Sequence, residues 1–109
     1  MTTIKIIIYK TSTNKEPYAD WENQLDIKML AVIKSRLNRI KLGNFGDAKK
    51  LKGTNGLWEL WFDIGPGYRV YFGKHERTLV VLLMGGDKKS QTSDIKKAQR
   101  YWLDYKEQI

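Results

Sequence analysis

The chain has no cysteine, one histidine, two prolines and only 12 acidic residues against 20 basic ones in 109. Without cysteine there is neither a disulfide framework nor a thiolate metal site, and a reducing compartment is the natural setting. No run approaches the roughly 18 apolar residues of a membrane span, and the start of the chain has neither a basic n-region nor a small-residue cleavage site. A soluble, unexported, cytoplasmic protein with no membrane partner is therefore expected. There is no glycine-rich phosphate loop ahead of a helix, no metal-ligand spacing and no Ser/His/Asp set, so no metal or other cofactor is expected. No internal repeat, low-complexity tract or linker interrupts the chain, and its length suits one domain, residues 1–109.

What is abundant is positive charge, +8 overall with a pI near 9.7. A field of that sign favours a polyanionic partner. Its distribution is uneven: residues 1–30 are neutral, 31–56 carry net +6, 57–87 net −1 and 88–109 net +3. The excess sits on a helix, on the loop after it and on the C-terminal segment.

The segment Leu57 to Gln91 holds three apolar or aromatic runs separated by turn residues, the pattern of an antiparallel meander. Gly65-Pro66-Gly67 is the first turn and Gly73-Lys74-His75-Glu76 is read as the second. Leu79 to Met84 is apolar throughout, which predicts a central strand buried on both faces. In the middle strand, alternation puts Tyr68, Val70 and Phe72 on one face and Arg69 and Tyr71 on the other. Gly85-Gly86 closes the last strand and delivers Asp87, Lys88 and Lys89 at the end of the sheet, so Arg69 and Lys88 are expected to aim at one space.

Ahead of the meander, Thr3 to Tyr9 reads as a strand. Tyr18, Trp21 and Leu25 mark a short helix, and Asp26 can cap a second. Its predicted buried stripe is Ile27, Leu30, Ala31, Leu37 and Ile40, ending at Gly43. Lys34, Arg36, Arg39 and Lys41 are assigned to its outer face. Gly43 to Gly56 reads as a basic loop anchored by Phe45 and Leu51. Ser93 is the expected cap of a C-terminal helix whose apolar face is Ile95, Ala98, Trp102, Tyr105 and Ile109. The predicted architecture is α+β: an N-terminal edge strand and a three-stranded meander, with two N-terminal helices and one C-terminal helix packed on one face.

Several stretches together resemble a known family. They are Arg36 to Asp47, Lys50-Leu51-Lys52-Gly53, Leu57-Trp58-Glu59-Leu60, Gly65-Pro66-Gly67-Tyr68-Arg69-Val70-Tyr71-Phe72, and Leu82 to Gln91. In their order and spacing they look like the RelE/ParE superfamily of toxin–antitoxin toxins, most closely its HigB-like, phage-derived "addiction module killer protein" branch. The resemblance implies a RelE-like fold and an mRNA interferase, a ribosome-dependent endonuclease that inhibits translation. It also implies a cognate helix-turn-helix, HigA-like antitoxin encoded downstream, with ribosome and mRNA as the other partners. Position by position, the family's cleavage residues fall on Arg69, Lys50, Lys52 and Lys88. That branch usually has an arginine two residues after its Trp-Glu pair, where this chain has Trp61.

Cleavage of RNA by its own 2′-hydroxyl needs a base, an acid and cations around the charged intermediate, with no metal. Arg69 suits the phosphate, which a guanidinium binds bidentately. Clustered lysines, Lys50, Lys52 and Lys88, suit proton transfer or phosphate binding. Arg36, Arg39, Lys49, Lys89, Gln91 and Tyr71 are the expected RNA contacts. Each has a bland counterpart: Arg69 can pair with Glu59 across the hairpin, Asp87 can cap its turn, the helix cations can be a wet face, and Trp61 and Tyr71 can be packing. His75 is assigned nothing. The competing functional reading is a basic module that binds an antitoxin or RNA without cutting.

Overall fold

A computed structural model describes residues 3–109. The elements are β1 (Lys5–Ile8), α1 (Pro17–Glu22), α2 (Ile27–Lys41), β2 (Ala48–Lys50), β3 (Leu57–Phe62), β4 (Tyr68–His75), β5 (Leu79–Gly86) and α3 (Gln91–Gln108). They form one five-stranded sheet in the order β1-β5-β4-β3-β2. The meander β3-β4-β5 is antiparallel as expected, and β1 lies at an edge, parallel to β5. The α+β class and the element order follow the reading of the sequence.

The arrangement departs from that reading in one main respect: the helices cover both faces of the sheet, not one. Tyr18, Ile33, Leu60, Val70, Phe72 and Leu82 belong to a core under α1 and α2. Leu57, Tyr71, Val81, Leu83, Ala98 and Trp102 belong to a second core under α3. The cause is in β4 and β5, which are apolar on both sides, so each face needs a cover to remove it from water. β5 is buried on both faces as predicted but sits one place from the edge, and β4 is the middle strand. A register shift between Tyr71 and Phe72 keeps the alternation in step: Tyr71 faces Met84 and Phe72 faces Leu82.

Smaller corrections have local causes. The stretch expected to be all loop contains β2, which pairs with β3 through Lys49 and Glu59. Its anchors are as predicted, with Phe45 stacked on Phe72 at 5.9 Å and Leu51 against the α3-side core. The buried face of α2 is Met29, Ile33, Leu37 and Ile40, while Ile27 is 82% exposed. Asp26 caps α2 by accepting the Met29 N–H at 2.8 Å, so Ile27 stands in the first turn, clear of the sheet. α3 begins after Ser90, three residues ahead of the expected cap, and Ile109 lies exposed beyond its last turn.

β4 also runs on through Gly73 and Lys74 into what was read as a hairpin turn. Gly73 is buried because the Trp102 indole lies where its side chain would be. Lys74 extends over the rings of Phe45 and Trp58, 4.0 Å from each centroid. Burial lowers its pKa below the usual lysine value. On the opposite face the Trp21 indole covers Gly85 in the same way. Replacing Gly73 with alanine forces the Trp102 ring off the sheet, and the expected cost is about 1–3 kcal/mol of overpacking. Urea unfolding of Gly73→Ala against wild type measures it.

Candidate active site at the end of the sheet

The residues singled out by the meander meet where β3 and β4 turn and β5 gives way to α3. Alternation on β4 holds as expected: Val70 and Phe72 enter the α2-side core, while Tyr71 enters the other. On the α3 side, Lys49, Glu59 and Tyr71 lie in register across β2, β3 and β4. Trp61 stands directly opposite Arg69, and Arg69 opposite Gly86.

Glu59 is the most deeply buried carboxylate among the described residues, 1% exposed. Its Oε2 accepts a 2.8 Å hydrogen bond from Gln91 Nε2 at the start of α3. Its Oε1 lies 3.8 Å from Arg69 Nε. That ion pair is too long for a direct hydrogen bond, and Arg69 Nε and the Tyr71 hydroxyl are both buried with no hydrogen-bond partner among the described residues. Burial, followed by the nearby Glu59 charge, raises the Tyr71 pKa and keeps the phenol neutral. The diagonal Glu59–Arg69 pairing anticipated from the hairpin is therefore present, and it holds one end of the guanidinium.

The other end faces a cleft. Arg69 Nη1 lies 3.4 Å from the Tyr68 carbonyl oxygen. A Cβ built on Gly67, whose φ is +77°, would stand 3.9 Å from Nη1 and 3.6 Å from Lys88 Cβ. Arg69 and Lys88 thus approach each other over a residue without a side chain, the convergence expected from the sequence. Together with Asp63, Gly65, Pro66 and Gly67 they line a shallow cleft of about 300 Å³.

Lys88 is set in place by the turn that carries it. Asp87 Oδ1 accepts the N–H groups of Lys89 at 2.9 Å and Ser90 at 3.2 Å, so Asp87 caps the turn. Ser90 Oγ then donates to the buried carboxylate of Asp94, which sits over Gly86 and leaves no room there for a side chain. The sequence places Asp94 in the first turn of the C-terminal helix, but does not single out Ser90 or its bond to that carboxylate. The only signal was their spacing of four on a helix that starts earlier than its apolar pattern indicates.

The remaining expected residues separate into groups. Lys50 pairs in register with Trp58 of the α2-side core, so it stands on the face opposite Arg69. Lys52 lies in the turn after β2, and both lysines line a hollow formed by residues 50–56, apart from the Arg69–Lys88 cleft. Lys49 shares the Arg69 face, with Nζ 5.9 Å from the centre of the Trp61 ring. Lys49 is one of the expected RNA contacts, and the β2 strand that places it on this face is what the sequence reading lacks. Lys89 and Arg39 are exposed, and Gln91 is half-buried on Glu59.

Arg36 and Tyr71 require correction as RNA contacts because both are inside the protein. Tyr71 is fully buried under α3. Arg36, 9% exposed, reaches the carbonyls of Trp61 and Phe45 at 3.3 Å and Asp47 at 3.4 Å, and lies 4.7 Å over the Phe62 ring. Its burial lowers the guanidinium pKa, partly offset by Asp47. A long side chain with an apolar stem and five donors can tie a loop to a helix from within, which charge patterning along α2 does not reveal.

The fold is RelE-like: the chain superposes on a double arginine-to-alanine mutant of the Escherichia coli toxin RelE in the free state. The TM-score is 0.63 at 15% sequence identity, over 91% of this chain and 95% of that one. No family model matches the chain. By sequence, the chain belongs to the same family as a Haemophilus influenzae protein described as an "Uncharacterized protein". It is 42% identical to that protein over 83 residues, 75% of this chain and 82% of the relative.

The structural role of Arg36 is checked by stability. Arg36→Ala should lose about 2 kcal/mol, from three carbonyls left without their donor. Exposed Arg39→Ala should stay within about 0.5 kcal/mol of wild type. Chemical denaturation of the two variants in parallel distinguishes a clamp from a surface charge.

Proposed function

We propose that this protein is the toxin component of a type II toxin–antitoxin system, a ribosome-dependent mRNA endonuclease. The observation that carries the reading is the convergence of Arg69 and Lys88 on the cleft beside Gly67. The RelE-like fold and the excess of positive charge agree with it.

In this reading the scissile phosphate enters the cleft and meets the Nη end of Arg69, whose Nε end is held toward Glu59. The RNA 2′-hydroxyl attacks the adjacent phosphorus and the P–O5′ bond breaks, leaving a 2′,3′-cyclic phosphate and a 5′-hydroxyl. Arg69 stabilises the charge that accumulates on the phosphoryl oxygens, where a preorganised cation is most effective. Lys88 steadies the same phosphate or protonates the departing 5′-oxygen. The 2′-hydroxyl proton needs an acceptor, and His75 stands at the other end of β4 from Arg69, so the ribosome completes or aligns the site. Lys49 on the Arg69 face and Lys89 beside Lys88 supply further cations near the cleft, while Lys50 on the opposite face and Lys52 in the turn after β2 stand apart from it. A HigA-like helix-turn-helix antitoxin is the cognate partner and the cytoplasm the place of action.

A second reading, a toxin-like module that binds antitoxin or RNA without cutting, draws support from the Glu59–Arg69 ion pair, which occupies part of the guanidinium. Inducible expression in bacteria separates the two. Wild type should arrest translation, and Arg69→Ala should relieve the arrest, with at least about a hundredfold loss of mRNA cleavage on programmed ribosomes, the scale of losing one transition-state donor. Lys88→Ala should fall between them. Equal growth of cells expressing wild type and Arg69→Ala rules out the endonuclease.

A further inference from the structure

Three of the four tryptophans have evident packing roles. Trp21 and Trp58 pack against the α2-side core, and Trp102 is part of the α3-side core. Trp61 belongs to neither. It sits in the middle of the site face, half-buried, directly opposite Arg69 on β4. On its other side the Lys49 ammonium of β2 lies 5.9 Å from its ring centre. It is a flat ring left partly in water between two cations on three adjacent strands, in cation–π range of Lys49 and outside both cores.

We propose that Trp61 is a stacking platform for a nucleobase of single-stranded RNA, with Lys49 and Arg69 holding the flanking phosphates. This deepens, and rests on, the reading of the protein as an RNA-directed toxin. The chemistry fits that ligand class. An indole face accepts any base, and cations on both sides match a backbone that carries one negative charge per nucleotide. Lys49 and Arg69 stand on the two strands that flank β3, on opposite sides of Trp61, and each side chain is long enough to reach a phosphate beside a base stacked there. Lys49, paired with Glu59, lies diagonally from Trp61, Trp61 lies opposite Arg69, and Arg69 shares the cleft with Lys88, so the base next to the scissile phosphate is the one stacked. Because stacking tolerates every base, the platform fixes position along the strand and leaves sequence choice to other groups.

The test uses short single-stranded RNA and the full chain. A hexanucleotide of mixed sequence should bind wild type at low salt. Trp61→Ala should weaken it about five- to a hundredfold, the range for losing one stacked base, and Trp61→Phe should recover most of the loss. Replacing one interior nucleotide with an abasic residue, scanned along the hexamer, should reproduce the loss in wild type at one position and cost nothing further there in Trp61→Ala. Lys49→Ala should lower the slope of log affinity against log salt by about 0.7, one phosphate of a single strand. Unchanged thermal midpoints show that the variants fold. If Trp61→Ala binds the hexamer as wild type does, or if no abasic position erases its effect, the platform is refuted. Loss of binding to a protein partner with RNA affinity unchanged would equally refute it. Because these measurements need neither ribosomes nor cleavage, failure of the endonuclease reading shows separately, as wild type that binds the hexamer but leaves translation running.

Discussion

A carboxylate held out of water organises the working end of this protein. Glu59 lies beneath α3, and a buried charge is tolerated only where partners replace the lost hydration. Gln91 supplies the hydrogen bond and Arg69 the opposite charge. One partner begins α3 and the other stands in the middle of the sheet, so meeting the needs of Glu59 sets the angle at which helix and sheet join. The same arrangement turns the Nε end of Arg69 inward and leaves its Nη end at the cleft. The direction of the guanidinium is thus a consequence of how a carboxylate is buried.

Indoles laid on glycines secure the layers around that point. Trp102 fills the space above Gly73 on the α3 face and Trp21 the space above Gly85 on the other. Each contact brings a helix close to the backbone of an interior strand, which only a residue without a side chain permits. The site opens where this packing stops, at Gly67 and the turn after Gly86, so rigid strands carry Arg69 and Trp61 while Asp87 orders the backbone around Lys88. Precision of placement at such a site comes from the elements that hold it more than from the loops that border it.

Much of this was legible beforehand because strand periodicity is a strict rule. A period of two assigned Arg69 and Tyr71 to one face and Val70 and Phe72 to the other, and the glycine pair after Met84 announced the end of β5. Helical periodicity was less decisive. On α2, Leu37 and Ile40 belong to both the expected and the observed buried faces, and the choice between Ile27 and Met29 at the other end depended on where Asp26 started the helix. Arg36 shows a different limit, because a cation on a basic helix looks the same in sequence whether it meets water or three carbonyls.

The amino-acid pattern by itself determined the order of the main elements, the two-faced burial of β5, and the convergence of Arg69 and Lys88 on one cleft. These depend on local spacing and on the short turns that join neighbouring strands. Only the tertiary structure decided that α3 covers the face opposite α1 and α2, that β2 forms and sends Lys49 and Lys50 to opposite sides, and that Tyr71 is sealed while Trp61 is not. Those outcomes depend on which surfaces close over which, a matter of contacts between residues far apart in the chain. No periodicity within a single segment encodes them.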